Sequence, residues 1–531
     1  MRLGVDFGTT RIVVATVDRG NYPLVSFEGP EGEPRDWFPP FIAARGSKLL
    51  YGWDAWNTQT DTKSTVIRSP KRLLREGGPE TEIEIAGQRV ALLELLTGLS
   101  SALRAALDRH SNLYSAREPY EIMLGIPANA NSNQRFLTAE AFRRAGFAVL
   151  GVLNEPSAAS IEFGHASRGR EAGEDTRSVM LVYDLGGGTF DASLVEVGSQ
   201  VHTVIASEGL PTLGGDDFDD ILAEMALEPA GFGDLEHDSL SPADLFWLHE
   251  ECRQKKESLR PNTKQIVIDL GIALPGCEPV AIPVAAFYDR CRPLVDETIQ
   301  AVERLLSSRG APLDALYVTG GGSELPLVSR TLKEVFGSRA RRSAYTRAAT
   351  AIGLAIQADE HAGYQLREKF TRHFGVWRES NQGREVIFDP LFLKGTPLPA
   401  PGGAPLRVTR TYRPAHNIGH FRYLECSSSS DDGRPNGDIS VWDEILFPFD
   451  PDLKNERDLA ARAVVRSATA QQQEVEERYL CDASGSVTVS IVNIAAGYER
   501  SHQIGRWAAR GAVVVAGRRR RAMQRKVAAP M

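Results

Sequence analysis

Two aspartates stand at matching places in two copies of one short pattern. From Met180 to Glu196, apolar runs flank Asp184 and the three glycines Gly186, Gly187 and Gly188, the pattern of a β-hairpin with a Gly-rich turn. Glycines in such a turn let the backbone approach a ligand and aim successive N–H groups at it, an arrangement suited to phosphate. Asp184 at the mouth of the turn and Asp191 just after it are carboxylates where a magnesium ion and its waters could sit. From Leu3 to Thr10 the design repeats around Asp6, followed by a second apolar run from Ile12 to Val17. Either turn alone is as readily a plain tight turn. Two copies with matched Asp and Thr positions predict two similar lobes closing on one nucleotide.

A third element, Leu316 to Pro326, reads strand, Gly320-Gly321-Gly322, helix start, and suits the backing of a purine or ribose. No Walker A lysine pattern and no GxGxxG opening a βαβ unit occurs, which excludes those phosphate sites. The elements that must position these groups are ordinary amphipathic ones. Leu92, Leu95, Leu96, Leu99, Leu103 and Leu107 recur at helical spacing between Leu92 and His110. Glu121 to Ile126 reads as a strand, Asn133 to Ala145 as a helix stopped at Gly146, and Asn154 to Pro156 as the start of another. Asn154 there is a cap residue by type.

The 531 residues suffice for two or three domains; 42% hydrophobic and 24% charged residues are ordinary for a soluble globular protein. A net charge of −8 gives no support for nucleic-acid binding by the body of the chain. Five scattered cysteines without a Cys-x-x-Cys suggest neither zinc nor a disulfide framework. Met1 runs straight into a strand and no long apolar run occurs, so neither a signal peptide nor a membrane span is expected, and the cytoplasm is the expected location.

Residues 1–360 resemble the nucleotide-binding domain of the seventy-kilodalton heat-shock proteins, the DnaK-type chaperones, which share the actin and sugar-kinase fold. The resemblance rests on Val5 to Thr10, Lys71 to Leu74, Gly125 to Ala128 followed by Gln134 and Arg135, Asn154 to Ala159, Asp184 to Asp191, Leu213 to Asp219 and Ala351 to Gln357. It implies an α/β actin-like ATPase of two lobes, about 1–175 and 176–360, each of mixed sheet plus helices. The charged stretch from Arg168 to Arg177 reads as the break between them. The implied cofactors are ATP or ADP and Mg2+. Asp6 and Asp184 would hold the metal through water, while Lys71, Glu155 and Thr189 arrange the phosphoryl group with Asp184. Backbone N–H groups at Gly8, Thr9, Thr10, Gly187 and Gly188 would cradle the phosphates. Gly186, Gly214, Gly215, Asp216, Lys256, Gly320, Gly321 and Gly322 complete the implied nucleotide site, and Pro127 with Arg135 would relay its state to the surface. Lys71 would neutralise charge developing on the phosphoryl group; a solvated Lys-Arg pair at a helix start is the plain alternative, and Ser69-Pro70 inserts one residue before it.

The chain departs from that family at the base. The helix from Asp244 to Leu259 normally carries a Glu, a Lys, an Arg and a Ser that hold the ribose and stack on the adenine; here they are Arg253, Lys256, Glu257 and Arg260. The second arginine of the adenine sandwich is Glu324, and a late acidic position is Arg347. A carboxylate cannot stack on a purine as a guanidinium does, so weak selection of the base is expected.

Residues 361–373 are the expected linker, polar and without the aliphatic run by which the family's linker docks, so docking and coupling are not expected. Residues 374–505 alternate short β runs with Gly, Pro and Ser clusters and are expected to form a β-sandwich resembling the family's peptide-binding domain, or one kept for structure or partner docking. Ser427 to Gly433 reads as a flexible loop tip. The family's helical lid is not expected after it. Residues 506–531 form a basic tail with Arg518 to Arg521, which could touch RNA, acidic lipid or an acidic partner, or stay solvated. The function implied is ATP-controlled binding of unfolded protein segments, with a J-domain co-chaperone and a nucleotide exchange factor as implied partners. A nucleotide-binding regulatory scaffold and a small-molecule, sugar-type kinase are the alternatives.

Overall fold

Arg2–Phe7 and Ile12–Thr16 pair antiparallel across the Gly8–Thr10 turn, which sets Asp6 opposite Val13. Leu3, Val5 and Val14 are fully buried, as near-continuous apolar runs are when a sheet is covered on both faces. In this computed structural model all residues are described except 60, 62, 75–76, 79–80, 114–117, 168–177, 199, 232–239, 308–312, 381–384, 401–402, 431–432, 484, 505–512 and 516–531. The expected break between lobes at 168–177 therefore lies outside the described residues, as does the basic cluster from Arg518 to Arg521.

Glu121–Ile126 lies parallel beside Arg2–Phe7, and Ala148–Asn154 parallel beside that, completing the sheet of the first lobe. The second lobe repeats the plan. Ser178–Leu185 runs antiparallel to Phe190–Val197, and Ala315–Thr319 lies parallel on its other side. Asp6 has Gly125 as its parallel neighbour and Asp184 has Thr319, so the two aspartates end equivalent strands. Val201–Leu210 and Ala340–Arg342 extend the second sheet on either side. Each lobe keeps its own apolar core, one around Val5, Leu96 and Phe142, the other around Tyr183, Phe218 and Phe287.

The leucine repeat forms the helix Leu92–Arg109 with all six periodic leucines buried. Ser132–Arg144 follows the strand of residues 121–126 and starts at a capping box, the Asn131 side chain accepting from the Gln134 N–H at 2.9 Å. Two further helices knit the lobes together. In Ala349–Ala358, Ala351 and Ala355 pack with Val13 and Ala15 of the first sheet; in Glu155–Ser167, Ala159 packs with Met180, Val182 and Val195 of the second. The helices cross where Gly353 meets Ala158, so closely that a Cβ on Gly353 would stand 1.8 Å from the Ala158 carbonyl oxygen.

Beyond residue 370 the chain builds two four-stranded antiparallel sheets. One is Glu385–Phe392, His373–Ser380, Ile418–Ser429 and Pro435–Pro448; the other is Leu406–Tyr412, Val475–Cys481, Val487–Asn493 and Tyr498–Ile504. Phe374, Val376, Tyr423 and Phe447 of the first share one core with Val475, Tyr479, Val489 and Ile491 of the second. Of the stretch expected at a loop tip, Ser427 to Ser429 instead lengthen a strand, Ser428 pairing with Asn436 and Ser429 with Pro435, while Ser430 and Gly433 turn the chain and residues 431–432 lie outside the described residues.

The linker also corrects the sequence reading. Gln365–Arg367 adds a parallel strand to the edge of the second lobe's sheet, with Leu366 opposite His202. Main-chain pairing replaces the missing aliphatic run, and Tyr364 is buried with its ring 5.6 Å from that of His202. Glu368 is buried against the first lobe, accepting from the Asn154 N–H at 3.0 Å. The strand-rich region rests on the same lobe: Glu425 accepts from the Ser132 N–H at 3.2 Å, and Asn131 Nδ2 donates to Ser440 Oγ at 3.2 Å.

The contact at Gly353 yields a test. Gly353→Ala should lower stability by about 1–3 kcal/mol or more, as overpacking does, and lower the apparent Tm. An unchanged melting curve would show that the two helices separate without cost.

Candidate active site

The two Gly-rich turns face each other between the lobes. A Cβ on Gly187 would lie 2.5 Å from Thr10 Cγ2, and one on Gly188 2.6 Å from Thr9 Cγ2, so neither position admits a side chain without a shift. The Gly186 and Gly187 carbonyls accept from the Gly215 and Asp216 N–H groups at 2.9 and 2.7 Å, which fixes the second turn on the helix Gly215–Leu227. A cleft of about 890 Å³, open mouth included, lies between the turns. Asp6, Lys71, Glu155, Asp184, Thr189 and Asp216 line it, together with Gly8, Thr9, Thr10, Gly186, Gly187, Gly215, Lys256 and Gly320 to Gly322.

Of the residues read as the phosphate and metal site, three lie differently. Gly188 and Gly214 are outside the lining and press the turns together, a Cβ on Gly214 falling 2.5 Å from the Gly188 nitrogen. Asp191 is also outside it; buried, it accepts from the Ala128 N–H at 3.0 Å. Gly186 and Gly320 reach the cleft, but their N–H groups donate to the Thr189 and Thr346 carbonyls at 2.9 and 2.8 Å. Lys256 lines the cleft while donating to the Gly215 carbonyl at 2.5 Å and pairing with Asp219 at 2.7 Å. Arg260 is exposed and away from it.

Lys71 comes from a single helical turn, Pro70–Leu73, and is buried. Its Nζ donates to Glu155 Oε1 at 2.6 Å. Around this pair lie Asp6, Asp184 and Asp191. Burial, then the field of Glu155, raises Asp6 to about 7 against the pull of Lys71. Burial and Glu155 likewise raise Asp191 to about 7, and Asp184 is raised well above the carboxylate range by burial, Glu155, Asp6 and Asp191. Burial alone would lower Lys71, but Glu155, Asp6 and Asp191 together raise it.

So much carboxylate around one buried ammonium fits a divalent cation. Among the described residues no three His, Cys, Asp or Glu side chains converge as direct ligands; a magnesium ion commonly keeps several of its waters.

The other end of the cleft carries residues that motif reading missed or saw only as departures. Arg11 Nη2 donates to both Glu257 oxygens at 3.0 Å, and Arg347 Nη1 donates to Glu257 at 2.9 Å. Arg347 Nε and Nη2 donate to Glu324 at 2.9 and 2.6 Å. Burial would raise Glu257, yet Arg11, Arg347 and Arg253 hold it down at about 2. Opposite charge at the substituted positions was the available signal for the Glu257–Arg347–Glu324 pairing; nothing in the spacing pointed to Arg11.

A pH dependence follows. Asp6 and Asp191 have folded values above the ordinary 3.8, so the folded chain binds more protons than the unfolded chain between about pH 4 and 7. Their contribution to stability is full below that window and lost as the pH rises through about 7. Mg2+ should therefore raise the apparent Tm by a few degrees at pH 8 and hardly at pH 5, as read by scanning calorimetry. Equal stabilisation at both values would count against a cation at these carboxylates.

Comparison with known proteins agrees with this geometry. The family described as Hsp70 protein matches residues 96–371. Chaperone protein HscA of Escherichia coli O6:H1 is 32% identical over 384 residues, covering 67% of this chain and 57% of that protein. Chaperone protein HscA of Klebsiella pneumoniae is 30% identical over 383 residues with the same coverage. Chaperone protein DnaK of Thermosipho africanus is 26% identical over 527 residues, covering 94% of this chain and 79% of its own length. The chain thus spans less than two thirds of the length of the HscA proteins it matches. With the matched segment holding the second Gly-rich turn, Glu155 and Asp184, the chain belongs to the Hsp70 family.

Proposed function

We propose that the chain is an ATP-hydrolysing chaperone of the Hsp70 type, with an actin-like nucleotide-binding part over 1–360, a docked linker over 361–373 and a β-sandwich that holds unfolded protein segments over 374–505. The observation that carries the reading is the buried Lys71–Glu155 pair among Asp6 and Asp184, at the meeting of two Gly-rich turns. A bound magnesium triphosphate supplies the phosphoryl group and the cation's charge. Asp6 and Asp184 would accept hydrogen bonds from the metal's waters. The Lys71 ammonium, aimed by Glu155, would stabilise charge developing on the phosphoryl oxygens. The Thr189 hydroxyl and N–H groups of the turns would orient the phosphates. A J-domain protein and a nucleotide exchange factor are the partners this reading implies.

The linker supports coupling of the two parts. Glu368 accepts from the Asn154 N–H, Arg135 donates to Asn154 Oδ1 at 2.6 Å, and the next residue, Glu155, holds Lys71. A rearrangement at the phosphate site therefore has a short covalent and hydrogen-bonded route to the linker.

Lys71→Ala should leave Mg-ATP binding within a few-fold and lower steady-state hydrolysis by on the order of 100-fold or more, as for loss of a preorganised charge. Equal turnover in both proteins would sink the catalytic role. An unfolded peptide should stimulate wild-type turnover, and Glu368→Gln should reduce that stimulation with basal turnover within about twofold. Stimulation intact in Glu368→Gln would show that coupling bypasses the linker. Nucleotide binding without measurable hydrolysis, with or without peptide, would instead select a nucleotide-binding scaffold without turnover.

A further inference from the structure

A nucleotide whose phosphates sit between the Gly-rich turns must place its base toward the end of the cleft walled by Glu257 and Arg347, with Glu324 bonded to Arg347 from outside the lining. That end offers no aromatic face for a base, and its guanidiniums, those of Arg11, Arg253 and Arg347, are each held in ion pairs. Among the residues lining the cleft, Val13 alone has a purely hydrocarbon side chain, and none is aromatic. The glycine shelf that could back a purine is covered: Arg347 Cγ and Nε lie 3.7 and 3.9 Å from where a Cβ of Gly321 would stand. Arg347 is held there from both sides, by Glu257 through Nη1 and by Glu324 through Nε and Nη2. Both carboxylates are also satisfied elsewhere, Glu257 by Arg11 and Glu324 by the Thr346 hydroxyl at 2.9 Å. Arg11 is braced in turn, its guanidinium carbon 5.4 Å from the centre of the Trp37 ring. A base entering this space would have to part hydrogen-bonded ion pairs, and the groups left behind would be partly desolvated charges without partners. It would gain no aromatic stacking in return, and each guanidinium that could stack is already bonded to a carboxylate.

The geometry points to a cleft that recognises a magnesium triphosphate and not the base attached to it, with Arg347 as the residue that closes the base end. This rests on the reading of the cleft as a triphosphate site and names its substrate class as nucleoside triphosphates in general, together with base-free tripolyphosphate. The Lys71, Asp6 and Asp184 end binds all of these through the same groups.

The test is calorimetric titration of the full chain with the magnesium complexes of ATP, GTP, CTP, UTP and inorganic tripolyphosphate. All five dissociation constants are expected within tenfold of one another. A preference of more than tenfold for ATP over GTP, or over tripolyphosphate, overturns the inference and leaves the triphosphate site standing. Binding of none of the five overturns the triphosphate site itself, and this inference with it. Arg347→Ala supplies a second measurement, because it uncovers the Gly321 shelf. ATP should then tighten at least fivefold relative to tripolyphosphate. An unchanged ratio overturns the role of Arg347, and a selective loss of ATP affinity shows that Arg347 holds the base, which also overturns it. Circular dichroism matching wild type shows that the variant is folded.

Discussion

The Lys71–Glu155 ion pair is the interaction on which the rest of the site depends. Two buried carboxylates, Glu155 and Asp191, and two half-buried ones, Asp6 and Asp184, surround one buried ammonium. A buried pair is stable only when its geometry is tight and its remaining valences are met, and breaking one leaves an uncompensated charge. Glu155 meets this partly through its place in the first turn of the helix Glu155–Ser167, where the helix dipole favours a carboxylate. The surplus negative charge makes the empty arrangement unfavourable at neutral pH and favourable once a cation arrives. Ligand binding and stability are thereby linked at one place.

That place is also where the chain's distant parts meet. Glu155 begins one of the two helices that cross between the lobes, and Asn154 immediately before it holds Arg135 and Glu368. Glu368 follows the strand that the linker adds to the second lobe's sheet. One short segment thus touches the phosphate end of the cleft, the lobe crossing and the linker. Packed cores deform little, so a displacement of Glu155 is felt at all three.

The outer cleft is spanned by charge rather than by apolar contact alone. Arg72 pairs with Asp216 at 3.2 Å, Arg68 with Glu250 at 2.8 Å, and Arg11 with Glu257 at 3.0 Å, each joining the first lobe to the second. Trp56 and Phe246 add an edge-on ring contact at 6.4 Å. These pairs are partly buried, the Glu250 carboxylate almost wholly, so parting them leaves charge that is not fully rehydrated, and they hold the lobes across the cleft mouth.

The elements whose cause is local were legible from residues alone. The leucine repeat of 92–107 and the strand Val487–Asn493 follow from periodicity, since period 3.6 or period 2 places one face in a core wherever the element sits, and the strand of residues 121–126 follows from a short continuous apolar run buried on both faces. The matched Asp and Gly positions of the two hairpins announced two lobes, because a turn that must approach a ligand admits few residue types. What depended on partners far along the chain was not legible. Lys71 and Glu155 are 84 positions apart, and only the folded chain brings them to 2.6 Å. The linker looked unable to dock because its side chains are polar, yet edge pairing uses backbone groups that every residue carries. Glu257, Glu324 and Arg347 read one by one as losses of base contacts; tertiary structure made them partners of one another and of Arg11. Residue types and spacing determined which groups are available, and the long-range packing of two lobes decided which of them satisfy each other, because burial penalises any charge left without a partner.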